Sequence, residues 1–148
     1  MSREIKFRVW DKKKKKMYPD CHHKDDWDNN SPIYLGLEGG LATTTGEQDA
    51  DFNWLEEKNF AIMQYTGLKD KNDKEIYEGD ILISQYSGKY LVNFGYYADV
   101  GDEHYDGIGF YLTPIEEQYK SHQESITMTD TQSSVIIGNL YETLELLK

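Results

Sequence analysis

"YTGLKDKNDKEIYEGDILI", residues 65–83, sets a run of charged side chains between two apolar segments and places Gly79 and Asp80 directly before Ile81-Leu82-Ile83. Such a stretch is either a ligand site or a turn. Asn72 and Asp73 tolerate left-handed backbone and can reverse the chain between Leu68 and Ile76. Gly79, without a Cβ, takes positive φ where a strand begins or bulges. The carboxylate of Asp80 accepts from N–H groups that such a bend leaves unpaired. Turn chemistry thus accounts for every residue type here, and strands are expected on both sides.

Outward from that turn the texture is β. "NFAIMQYTGL" (59–68) reads as a buried strand ending at Gly67, and "KEIYEGDILISQY" (74–86) reads as a second. "KYLVNFGYY" (89–97) is a third after a tight turn at Ser87-Gly88-Lys89, and "GIGFYLTP" (107–114) is a fourth. At the other end of the chain, "EIKFRVW" (4–10) alternates Ile5, Phe7 and Val9 with Lys6 and Arg8, the pattern of a strand with one buried face. "DKKKKKMYPD" then turns the chain, Met17 and Tyr18 begin a returning arm, and the lysines sit at the tip. Residues 20–31 read as loop and "PIYLGL" (32–37) as a short strand, while "PIEEQYKSHQ" (114–123) is ambiguous, a helical turn being one reading. "SSVIIGNL" (133–140) is a final strand. "NLYETLELLK" (139–148) follows as a short helix with Asn139 near its cap and Leu140, Leu144 and Leu147 on one stripe.

The expected class is therefore mainly β, with compact barrel- or sandwich-like antiparallel sheets and a short C-terminal helix. The chain is expected to form a single domain over residues 1–148, with an N-terminal hairpin (4–18) and an irregular insertion at about 38–53. At this length folding removes roughly 68–70% of the unfolded chain's surface from water. Twelve tyrosines, five phenylalanines and three tryptophans supply the apolar faces for that burial.

Charge is segregated. Residues 1–24 carry nine basic and three acidic side chains, net +6, and residues 25–148 carry seven and 24, net −17, for −11 in all. A mostly negative surface repels phosphates, which disfavours direct nucleic-acid binding by the body of the protein. Cys21 is the only cysteine and cannot form an internal disulfide, so nothing calls for an oxidising compartment. The first residues alternate charged and apolar side chains instead of forming the apolar stretch of a signal peptide, and no segment approaches 18 apolar residues. A cytoplasmic protein without a membrane partner is expected.

Three blocks, "REIKFRVWD" (3–11), "MQYTGLKDKNDKEIYEGDILI" (63–83) and "VIIGNLYE" (135–142), together resemble the signature blocks of the YopX family of phage and prophage proteins, in the family's order. The resemblance singles out Trp10, Asp11, Tyr65, Thr66, Gly67, Asp70, Tyr77, Glu78, Gly79, Asp80, Gly138, Asn139, Tyr141 and Glu142 as structural or interaction residues. Two positions depart from it: Asp73 stands where the family has glycine in an Asn-Gly turn, and Thr143-Leu144 stands where it often has Asn-Pro. The resemblance implies a predominantly β homo-oligomer of the bacterial host cytoplasm, with no established enzymatic activity and no catalytic residues to carry over.

Other clusters read more plainly. "CHHKDDWD" (21–28) gathers a thiol, two imidazoles and carboxylates, but adjacent histidines with one cysteine lack zinc-ligand spacing, so a solvated loop is the expectation. "DADFN" (49–53) imitates a calcium loop, yet Trp54 replaces the glycine and Phe60 the bidentate glutamate, which excludes it. "DVGDEHYD" (99–106) surrounds His104 with acids, as an acidic hairpin tip does too. Tyr96 and Tyr97 lack neighbouring cations for base stacking and read as core or interface. Lys12–Lys16 form a local positive field suited to nucleic acid, an acidic partner or a neighbouring copy, although a solvated tip is the simpler reading. No phosphate-loop, dinucleotide or nucleophile-elbow motif is present, so no cofactor is called for. The expectation is a non-enzymatic phage or prophage accessory protein that binds itself and an unidentified host or phage protein. Two alternatives are an acidic nucleic-acid mimic that sequesters a host protein, and a metal-dependent hydrolase.

Overall fold

The computed structural model describes residues 4–23, 33–35, 40–45, 51–85, 88–98, 106–116 and 123–147. The fold is mostly β, with its strands in two sheets. The chain divides into two compact units: residues 5–64, and residues 65–148 together with the first four.

In the unit of residues 5–64, β1 (Phe7–Asp11) is sandwiched between β2 (Lys16–His23) and the first half of β6 (Phe60–Lys69), both antiparallel to it. The predicted hairpin is present, and β2 runs on through residues 20–23, which sequence had assigned to loop. A short parallel pairing joins β2 to β3 (Tyr34–Leu35), and β4 (Leu41–Thr45) and β5 (Asp51–Trp54) extend the sheet antiparallel. The stretch at 38–53, expected to be irregular, thus carries two paired strands where it is described. Thr43-Thr44-Thr45 supplies the β-branched run that favours them despite the low apolar content. Val9, Ile33 and Leu41 form the buried core of this unit, with Tyr18, Cys21, Leu35, Leu55, Phe60 and Ile62 packed around it.

In the unit of residues 65–148, the C-terminal half of β6 pairs with β7 (Glu75–Tyr77). A second sheet has the order β11-β10-β9-β8-β12, all antiparallel: β8 (Asp80–Ser84), β9 (Gly88–Ala98), β10 (Asp106–Pro114), β11 (Glu124–Ser125) and β12 (Ser134–Asn139). Residues 74–86, read as one strand, are two strands in different sheets. The break falls at Glu78-Gly79, where Gly79 has φ 82°, a backbone state that side chains with a Cβ rarely adopt. Ile76, Leu82, Val92 and Leu112 make the core here, with Tyr90, Phe110, Ile126 and Ile136 against it.

The one α-helix among the described residues, α1 (Met128–Gln132), lies near the C-terminus but not over 139–148. A capping box starts it: Thr127 Oγ1 accepts from the Asp130 N–H while the Asp130 carboxylate accepts from the Thr127 N–H. Residues 144–147 form a 3₁₀ turn instead of the expected helix. Asn139 does cap a turn, its side-chain oxygen accepting from the N–H groups of Tyr141 and Glu142 and its carbonyl from the Thr143 N–H, but the chain does not run on from it as an α-helix. No helix among the described residues is long and apolar enough to cross a membrane.

Candidate functional site

The family-block residues of the second unit converge on the ends of β6, β7, β8 and β12, and their polar groups are engaged in holding backbone. Asp70 is buried, and its Oδ1 accepts from the N–H groups of Asn72 (2.8 Å) and Lys74 (2.9 Å). Its Oδ2 accepts from the N–H of Ile136 on β12 at 3.0 Å, which ties the turn to a strand far along the chain. The Lys71 N–H donates to the Ser134 carbonyl beside it. Burial pushes the Asp70 carboxyl up, but the N–H groups of Ile136, Lys74 and Asn72, with the Lys74 charge, outweigh it and hold the carboxyl below its ordinary value.

The neighbouring residues follow the same pattern. Thr66 donates its hydroxyl to the Ile76 carbonyl (2.8 Å) and accepts from the Leu68 N–H (3.1 Å), clamping β6 to β7 beside Gly67 (φ 85°). The Tyr65 and Tyr77 rings pack with centroids 5.5 Å apart. Asp80, also buried, accepts from the Tyr77 N–H (2.8 Å) across the break between β7 and β8. Gly79 donates its N–H to the Val92 carbonyl and accepts from the Leu140 N–H (2.7 Å). Asn139 organises the last turn through Tyr141 and Glu142, its amide also donating to the Glu142 carboxylate at 2.8 Å. Burial and the charge of nearby Glu78 push the Tyr141 phenol up, which places Glu78 in the same group. A Cβ on Gly138 would overlap the Thr143 side chain, so only glycine fits the close approach.

Trp10 and Asp11 lie in the other unit, on β1. Asp11 is buried and its Oδ1 accepts from the N–H groups of Lys13 and Lys14, both at 2.9 Å, capping the lysine turn.

The remaining clusters fall largely outside the described residues. Cys21 is half-buried against the Val9 core, while residues 24–28 and 99–105 lie outside the described residues. Residues 51–53 are strand, paired with β4. Among the described residues no three histidine, cysteine, aspartate or glutamate side chains gather as a metal site.

What sequence reading did not isolate is an exposed apolar ladder. In the β9–β10 register Val92 faces Leu112, Phe94 faces Phe110 and Tyr96 faces Ile108, so all six share one side of the hairpin. The row begins in the core and leaves it: Phe94 is 47% exposed, Tyr96 64% and Ile108 80%. The Phe94 and Phe110 rings meet edge to face at 4.9 Å, and on the opposite side Tyr97 stacks on Tyr111 at 5.4 Å. The period-two spacing was visible in the sequence, but which end of each strand stays in water was not.

These blocks occur together over most of the chain, and a sequence profile described as "YopX protein" matches residues 6–148. The chain belongs to the YopX family. Its fold is also similar to the crystal structure of protein EF1440 from Enterococcus faecalis, with a TM-score of 0.54, 24% identity, and coverage of 99% of this chain and 100% of that one. No curated protein matches the sequence.

Proposed function

We propose that this YopX-family chain is a non-enzymatic accessory protein of a phage or prophage, acting in the bacterial cytoplasm as an oligomeric protein-interaction module. The observation that carries the reading is the ladder Phe94, Tyr96 and Ile108, an apolar row that leaves the core for the surface. Contiguous exposed apolar side chains of this kind mark contact surfaces. The occupant we assign is a second copy of the chain, since a two-fold interface brings the same patch of both copies together and would bury this apolar row against its own counterpart. The family-block carboxylates support the same reading from the other side. Asp70 and Asp80 already accept from backbone N–H groups in the interior, so they are employed in architecture.

Light scattering on the purified protein, compared with Ile108→Asp, tests this. Assembly of the wild type and a weakening of at least about tenfold in the variant are expected, because a charge replaces an apolar contact. A wild type that stays monomeric, or an Ile108→Asp variant that assembles equally well, overturns it. A pull-down from host lysate then separates self-association from capture of a defined second protein.

A further inference from the structure

We infer that the lysine turn at Lys12–Lys16 is a preorganised cationic contact for the carboxylate surface of a second copy of this chain. This rests on the oligomeric reading above but on a different observation. All five lysines are exposed, and the backbone beneath them is held from several directions. Buried Asp11 caps Lys13 and Lys14, the Lys12 N–H donates to the Asn59 carbonyl (2.9 Å), and the Lys12 ammonium donates to the Lys58 carbonyl (3.3 Å). Lys15 sits in left-handed backbone (φ 51°), and the Lys16 ammonium lies 4.9 Å from the centre of the Tyr18 ring. Among the described residues no carboxylate pairs with the ammonium groups of Lys13, Lys14 or Lys15. Three cations are thus presented on a fixed turn without a partner within their own chain's described part.

The complementary charge is on the same polypeptide. Residues 65–148 hold six lysines, no arginine and fifteen acidic residues, net −9. A nucleic acid would bring only phosphates towards a protein of net −11, whereas a second copy brings its own lysine turn along with its carboxylates, so the contact is reciprocal. The turn also has no arginine for bidentate phosphate contact, and the adjacent Tyr18 ring already carries Lys16.

The test is sedimentation velocity at about 0.05 M and about 0.5 M salt on wild type and K13A/K14A/K15A. Zero-length carbodiimide cross-linking of mixed isotope-labelled and unlabelled wild type accompanies it. Exposed charge pairs are each worth a few-fold in affinity, so about tenfold weaker assembly is expected at high salt, and about the same in the triple variant at low salt. Cross-links should join residues 12–16 of one copy to carboxylates of residues 65–148 in another. Assembly that ignores both salt and the triple variant, with no such cross-links, overturns this inference while leaving the apolar contact standing. Lysine-dependent retention of an oligonucleotide with assembly unchanged reassigns the turn to nucleic acid and also overturns it. A wild type monomeric at both salts overturns this inference and the oligomeric reading together.

Discussion

Two charged turns of this molecule use the same local device and put it to different ends. At 11–16 and at 70–75, an aspartate leading the turn is buried and accepts from two N–H groups a few residues on. Each turn also holds a non-glycine residue in left-handed backbone: Lys15 with φ 51° and Asp73 with φ 64°. They differ in reach. Asp70 spends its second oxygen on the Ile136 N–H, 66 residues away, whereas Asp11 accepts from Lys13 and Lys14 of its own turn, and it is Lys12 that reaches out, to the carbonyls of Lys58, 46 residues on, and Asn59. They differ in charge as well. The Asp73 carboxylate meets the Lys69 ammonium at 3.3 Å, while Lys13, Lys14 and Lys15 meet no carboxylate among the described residues. A turn whose buried carboxylate reaches a distant strand is architecture; a turn whose carboxylate serves its own N–H groups, and whose ammonium groups meet no carboxylate among the described residues, presents a surface.

The sharpest way to break this contrast is to delete both aspartates. Asp70→Ala removes three hydrogen bonds and leaves the Ile136 N–H without its carboxylate, at a cost of about 3 kcal/mol in urea unfolding. Asp11→Ala should cost about 1 kcal/mol, the size of a lost cap. Equal losses would mean that the long-range bond adds nothing. Next comes Gly138→Ala, which forces the Thr143 side chain away from its bonds to Asn139 and should cost about 2 kcal/mol by the same measurement.

The pH dependence sharpens the comparison further. Because the Asp70 carboxyl is held below its ordinary 3.8, its contribution is fully present above that value and is lost as pH falls through the lower folded-state value. Urea midpoints measured downwards from pH 5 should therefore fall more steeply in wild type than in Asp70→Asn; parallel curves would contradict the assignment. The smallest effects belong to the left-handed positions. Lys15→Gly should stabilise by about 0.5–1 kcal/mol. Asp73→Gly should gain only a few tenths, because aspartate tolerates that backbone and its exposed pair with Lys69 is lost. A larger gain at Asp73 than at Lys15 would show that the family's glycine there matters to this fold.

Much of this was legible. Of the Asn72-Asp73 pair, Asp73 takes the left-handed state that residue type allows and Asn72 does not; Gly79 takes it too, and Asp80 accepts at the bend, because a missing Cβ or a short carboxylate acts within a few bonds. The helix at 128–132 was missed although its signal, Thr127 three residues before Asp130, is a capping box. The apolar stripe at 140–147 outweighed it in the reading, yet Leu144 is largely exposed in a 3₁₀ turn.

By itself the amino-acid order determined the strands, through period-two alternation and β-branched and aromatic residues, the turn chemistry between them, and the separation of charge between the first 24 residues and the rest. Those are properties of neighbours along the chain. Tertiary structure alone decided that Asp70 would reach Ile136, that β7 and β8 would part into different sheets at Gly79, and that Phe94, Tyr96 and Ile108 would leave the core while Val92 and Leu112 stayed in it. Each of these depends on register between segments distant in sequence, and register is set by which apolar faces can be buried together, not by the preferences of any one segment.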